Sequence, residues 1–177
     1  MVEALLFDTK NKKRRFKNME LTFAPKGILQ IDDARICYKN FKGEAGKFNR
    51  EGDRNFSVVI PNRDLADKLV DEGWNVKIRE PRTEEEDEFI TLPVKVKFND
   101  IGPHIYVRTG DAVNKLDEDT VGEVDDLDIS SVSMDLRPYN WNVNGSSGRS
   151  AYLQSMEIIQ NIDRFAARYA AEESPRE

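Results

Sequence analysis

Cysteine and histidine are almost absent from this sequence, with one of each in 177 residues. That excludes a disulfide framework and every zinc site built from several Cys and His ligands. No apolar run approaches the ~20 residues that a membrane-spanning helix needs, so no membrane partner is expected. A secretory leader places positive charge before a long apolar stretch. The opening MVEALLFDTKNKKRRF has a short apolar stretch first and its charges afterwards. The expectation is a soluble, cytoplasmic protein. Charged residues reach 34%, yet nine Phe, five Tyr and two Trp exceed what a disordered chain carries. At this length a chain buries about 70% of its unfolded surface, enough for one core without staples.

The net charge of −6 comes from 27 basic and 33 acidic side chains and argues against a uniformly basic, histone-like protein. The charges are segregated, however. Residues 10–17 (KNKKRRFK) hold six basic groups and no acid, and Arg35–Arg54 hold six basic and three acidic groups. Glu80–Glu88 hold six acids and one Arg, and Asp111–Asp128 eight acids and one Lys. The folded surface therefore carries patches of both signs.

The pattern predicts a mainly β chain. Residues 1–27 read as a basic N-terminal arm with a short strand at Ala4–Phe7, and 163–177 as a C-terminal helix with a short polar tail. Between them, Ile28–Tyr38 alternates as a strand with Ala34, Ile36 and Tyr38 on one side and Arg35, Cys37 and Lys39 on the other. The glycine-rich stretch NFKGEAGKFNREGD reads as a long, mobile hairpin loop, and Phe56–Ile60 as the returning strand. Arg63–Gly73 has helical spacing, with Asn62 as N-cap and Gly73 as the stop. Trp74–Ile78, Leu92–Phe98 and His104–Arg108 read as strands, the last two as a hairpin across NDIGP, with Lys95 and Lys97 outward. Asp111–Asp128 reads as an acidic loop. ISSVSMDLRPYNW and AYLQSMEIIQ read as strands flanking the loop NVNGSSGRS. Seven or eight short strands with one helix inside the series point to a small antiparallel barrel with added hairpins.

The richest chemistry lies in RICYKNFKGEAGKFNREGDRNF, where basic and aromatic residues alternate. Single-stranded nucleic acid asks for this mixture, since phosphates need Lys and Arg while unstacked bases need flat apolar faces. Arg35, Lys39, Lys42, Lys47, Arg50 and Arg54 are the candidate phosphate contacts, and Phe41 and Phe48 the candidate stacking groups. Lys95, Lys97, Tyr106, Arg108 and Trp141 extend the set, with Arg137, Tyr139 and Arg149 beside the last loop. GEAGK (Gly43–Lys47) is no phosphate loop, because Phe48 follows the Lys and a strand, not a helix, comes next. Neither His104 nor Cys37 has a partner for nucleophilic chemistry. The acids Asp117, Glu118, Asp119, Glu123, Asp125, Asp126 and Asp128 offer a metal-dependent nuclease as a rival, with Asp125 and Asp126 as its test residues. A β-rich interaction or virion-structural module is the other rival. No spacing separates DNA from RNA, because that choice rests on 2′-hydroxyl contacts.

The segments GDRNFSVVIP, GWNVKI, LPVKVKF and GRSAYLQSMEII together resemble the OB-fold single-stranded-DNA-binding proteins of tailed bacteriophages. The likeness spans Ile28–Ile162, with Gly148–Ile159 as the late strand that closes the barrel after a glycine loop. It implies an OB-like antiparallel barrel over 28–162 with extended hairpins, one internal helix and a C-terminal helix. It further implies a non-enzymatic protein without cofactor that coats single-stranded DNA during phage replication, recombination and repair in the host bacterial cytoplasm. Replication or recombination proteins are the implied partners, and a homo-oligomer stays open. Such proteins recruit partners through an acidic C-terminal tail. Here AAEESPRE is short, contains Arg176 and lacks an aromatic end.

Overall fold

A computed structural model describes residues 19–165 and Arg168. The arm expected over 1–18, with its Ala4–Phe7 strand, and most of the C-terminal helix lie outside the described residues. Nine strands run in chain order: β1 (Glu20–Phe23), β2 (Leu29–Asn40), β3 (Arg54–Ile60), β4 (Lys77–Arg79), β5 (Phe89–Val96), β6 (His104–Thr109), β7 (Ala112–Leu116), β8 (Ile129–Val143) and β9 (Ser146–Gln160). Helix α1 (Arg63–Asp71) lies between β3 and β4. Asn62 caps it as the sequence predicts, its Oδ1 accepting the Leu65 N–H at 2.9 Å. Ala66 and Leu69 face the core, and Gly73 leaves the helix with φ +89°.

The strand order is β4-β5-β3-β2-β8-β9-β6-β7, with β1 added to β2. A parallel contact between β5 and β9 sets Val94 opposite Ala151 and Lys95 opposite Tyr152. It closes β2, β3, β5, β9 and β8 into a five-stranded barrel. Phe56, Val58, Leu92, Val94, Val132, Leu136 and Ile158 fill the interior, all at most 1% exposed.

Several local expectations give way to the structure. Glu20–Phe23, assigned to the arm, pairs with β2. Trp74–Ile78 reduces to the short β4, and Trp74 is buried. β5 and β6 form no hairpin with each other: β6 pairs with β9 and β7. The acidic stretch 111–128 contains β7 and a 3₁₀ turn, Val121–Asp126, whose Val121 and Val124 are fully buried. The expected loop NVNGSSGRS contracts to a tight turn, and β8 and β9 pair as far as Val143 opposite Ser146.

Two bulges decide which way β2 presents its side chains. Asp33 (φ +54°) and Tyr38 (φ +52°) adopt left-handed conformations, and the strand's register shifts at each. Each extra residue reverses the alternation. Tyr38, which simple alternation puts on the same side as Ile36, is therefore 62% exposed. Phe41, expected to face solvent, is buried.

Candidate nucleic-acid interface

The barrel's outer face across β2, β3, β5, β9 and β8 is organised in rows. In one, Asn40, Asn55, Lys95, Tyr152 and Arg137 stand opposite one another across those five strands. This row joins the foot of the β2–β3 loop to the foot of the β8–β9 hairpin. The next row carries small groups, Cys37, Ser57 and Pro93. The third runs Arg35, Val59, Thr91 and Lys77, with a cation at each end. Ser57 and Thr91 are 8% and 6% exposed although they point away from the barrel interior. They form a floor between taller side chains.

Aromatic groups stand on both sides of that floor. Tyr38 meets Phe89 edge-on at 6.1 Å, and the Arg79 guanidinium lies 5.0 Å from the Phe89 ring. On the other side Tyr139 meets Tyr152 edge-on at 5.8 Å, with Arg137 and Lys95 at 5.4 and 5.7 Å from the Tyr152 ring. Arg35, Lys77, Arg79, Lys95 and Arg137 have no carboxylate within 4 Å among the described residues. Unneutralised cations beside exposed rings suit a chain of phosphates that carries splayed bases.

The β2–β3 loop is more ordered than its glycines suggest. Gly52 N–H bonds to Gly43 O at 2.8 Å, and the Asn49 side chain donates to the carbonyls of Glu44, Arg50 and Asp53. Gly43 (φ +70°) has the Gly52 backbone 3.1 Å from where a Cβ would stand. At the tip Lys47 and the 93% exposed Phe48 project together, 5.5 Å apart. The β8–β9 hairpin is stiffened by Trp141, whose ring covers Gly148 so closely that a Cβ there would lie 2.5 Å from it. Arg149 donates to Asn140 Oδ1 at 2.9 Å and covers Trp74.

The residues singled out in the sequence therefore divide. Arg35, Lys47, Phe48, Lys95 and Lys97 are exposed, without a carboxylate partner for any of the four cations among the described residues. Lys97 borders a cleft with His104, Arg137 and Gln154. Phe41 is 0% exposed and stacks on Phe56 at 5.2 Å, so it offers no surface to a base. Lys39 is also corrected: its Nζ donates to the Val124 and Leu127 carbonyls at 3.3 Å. Arg54 binds Phe41 O and Glu118 and is mostly enclosed. Lys42 pairs with Asp126 at 3.0 Å, Arg50 with Asp53 at 3.5 Å and Arg108 with Glu157 at 3.7 Å. Tyr106 stands on β6 beside Lys115, with Glu157 between it and the β8 strand. Trp141 is half-buried.

Sequence reasoning missed Lys77, Arg79, Phe89 and Tyr152. The outward alternation Phe89, Thr91, Pro93, Lys95 was available, but the strand was expected to begin only at Leu92, which left Phe89–Thr91 unassigned. The acids of 111–128 do not converge: among the described residues no three His, Cys, Asp or Glu side chains are placed to hold a metal ion.

Cys37 provides a chemical probe of the floor. Burial pushes its thiol above the ordinary value near 9, and Arg35 opposes this only in part. The thiolate is the reactive form. A raised value means less thiolate at pH 7–8, so iodoacetamide should react more slowly than with a free thiol and keep accelerating above pH 9. Saturating oligo-dT should slow the reaction further. An unchanged rate would place the strand away from β2.

The family model of the phage ssDNA-binding domain matches residues 19–175. Among solved structures, the single-stranded DNA-binding protein of bacteriophage Enc34 in complex with ssDNA aligns with a TM-score of 0.51 and 14% identity, covering 84% of this chain and 99% of that one. Its C-terminally truncated form aligns at 0.50 and 14%, covering 80% and 90%. A third structure of that protein aligns at 0.50 and 13%, covering 84% and 93%. A comparison with curated protein sequences finds no match.

Proposed function

Since the chain belongs to the phage ssDNA-binding domain family, we propose that it binds single-stranded DNA across the outer face of β2, β3, β5, β9 and β8. The observation that carries this is the row from the foot of the β2–β3 loop to the foot of the β8–β9 hairpin. Along it and beside it, cations without a carboxylate partner among the described residues stand next to the exposed rings of Tyr38 and Tyr139. Arg35, Lys77, Arg79, Lys95 and Arg137 hold phosphates, Tyr38 and Tyr139 stack bases, and Lys47 with Phe48 reaches over from the loop. Tyr152 keeps Lys95 and Arg137 side by side. Neither stacking nor phosphate contact reads a base edge, so sequence preference is weak. The role is to coat and protect strands exposed during phage DNA replication, recombination and repair, in the cytoplasm of the host bacterium. It needs no catalytic group. Of the acids in 111–128, Asp125, Asp126 and Glu118 are engaged with backbone N–H groups and cations of the chain itself.

The test is a fluorescence-anisotropy titration of the full chain with labelled oligo-dT and a duplex control, with and without Mg²⁺. Single strands should bind well ahead of the duplex, with log affinity falling by about 0.7 per phosphate contact for each tenfold rise in salt. Equal binding of duplex and single strand, or a salt-insensitive complex, would refute the reading. Strand shortening only with Mg²⁺ would replace it with the nuclease.

A further inference from the structure

The acidic segment after β7 holds the foot of the β2–β3 loop. Its carboxylate Asp125 accepts the Phe41 N–H at 2.8 Å through Oδ1 and the Lys42 N–H at 3.0 Å through Oδ2. These donors lie just past Asn40, the last residue of β2 in register with β3. One carboxylate thus replaces the missing strand partner at the point where the loop departs. The segment itself is rooted. Val121 and Val124 are fully buried, and Lys39 Nζ crosses to the carbonyls of Val124 and Leu127. On the loop's returning side Arg54 donates to Phe41 O at 3.0 Å and pairs with Glu118. Both feet of the loop are therefore tied to this one segment, 64 to 88 residues away in sequence. Asp126, the next residue, does something different. It faces solvent and pairs with the exposed Lys42 ammonium at 3.0 Å.

We propose that Asp125 and Asp126, adjacent in sequence, act on single-stranded DNA binding with opposite sign: Asp125 positions the β2–β3 loop for the strand, whereas Asp126 withholds Lys42 from it. This rests on the reading of the loop as one wall of the ssDNA interface. The two acids differ in what replaces them. The ion pair of Asp126 is solvent-exposed and weak, so a phosphate can take over its lysine. Asp125 satisfies two main-chain donors at the edge of the core, and its loss leaves both without their partner at the point where the loop departs. Charge alone gives a different expectation. Removing either carboxylate takes one negative charge from beside a polyanion and would tighten binding equally.

The experiment uses the full chain and the variants Asp125→Asn, Asp126→Asn, Lys42→Met and Asp126→Asn with Lys42→Met. Each is titrated with labelled oligo-dT across a salt series, below its melting temperature. Asp125→Asn should weaken binding roughly three- to tenfold, the loss expected when a preorganised loop loosens. Asp126→Asn should tighten binding and steepen the log–log salt slope by about 0.7, the contribution of one added phosphate contact. Lys42→Met should cancel that gain in the Asp126→Asn background and change little on its own. Amide exchange at Phe41 and Lys42 reads the anchor without DNA and should quicken in Asp125→Asn alone. Equal tightening by Asp125→Asn and Asp126→Asn would overturn the proposal, as would unchanged exchange at Phe41 and Lys42 in Asp125→Asn. Failure of the unsubstituted chain to bind oligo-dT would refute the functional reading itself, and the opposite-sign effect with it. Binding by that chain with equal tightening by both variants would refute the positioning role alone.

Discussion

Alanine at Tyr38 or at Tyr139 is expected to weaken oligo-dT binding by about 1–3 kcal/mol each, roughly five- to 150-fold, with the salt slope unchanged. Both rings are more than half exposed, at 62% and 55%. Each is held edge-on by a second aromatic ring, Phe89 for Tyr38 and Tyr152 for Tyr139, so its orientation is settled before a base arrives. The cations beside them remain in either variant, which is why affinity should fall without a change in slope. Lys95→Met and Arg137→Met should behave conversely and lower the slope by about 0.7 each. Tyr38 and Tyr139 stand on opposite sides of the floor formed by β3 and β5, so the two losses should add to within a few tenths of a kcal/mol. Phenylalanine at either position should keep most of the affinity, because the face and not the hydroxyl does the stacking. Wild-type affinity in both alanine variants would move the strand elsewhere, with Tyr106 on the β6–β7 hairpin as the next surface to test.

The barrel was legible in the sequence because its strands alternate cleanly where they are regular. Val94 and Val96 inward with Lys95 and Lys97 outward, or Val132, Met134 and Leu136 on one face, follow directly from the two-residue period. The helix was legible from Asn62, its apolar spacing and Gly73. The pairing of β6 was not. A parallel contact with β9 leaves no turn signature, and NDIGP looked like a hairpin connection although the strands on either side of it pair with successive stretches of β9 and not with each other. The site was legible as a composition and less so residue by residue. Basic and aromatic groups in Arg35–Phe56 do mark the region. Which of them reach solvent depends on bulges at Asp33 and Tyr38, and neither position carries the glycine that would announce one. A bulge slips the pattern by one residue, so Tyr38 leaves the side of Ile36 for the surface and Phe41 moves from the expected surface to the core. Lys39 and Arg54 were misread for another reason. Their partners lie 64 to 88 residues away in the acidic segment, a distance over which periodicity says nothing.

Phe41 and Phe48 are seven residues apart in the same basic-aromatic stretch, and the structure predicts opposite consequences for replacing them. Phe41 is fully buried and lies nearly parallel to Phe56, with ring centroids 5.2 Å apart and planes at 15°. Alanine there leaves a cavity where β2 meets the acidic segment and should cost about 3–5 kcal/mol of stability. For a chain of this size that corresponds to a fall in Tm of roughly 6–20 °C. Phe48 is 93% exposed at the loop tip and touches little beyond Lys47. Alanine there should leave Tm within about 2 °C, as surface substitutions do, and lower oligo-dT affinity through the loss of one stacking face. Thermal melts and anisotropy titrations on the two variants separate the effects. At a temperature where Phe41→Ala remains folded, its affinity should stay closer to that of the unsubstituted chain than the affinity of Phe48→Ala. An unshifted Tm in Phe41→Ala would mean that Phe41 does not pack on Phe56. Full affinity in Phe48→Ala would mean that the loop tip stays clear of the strand, leaving the row from Asn40 to Arg137 to bind alone.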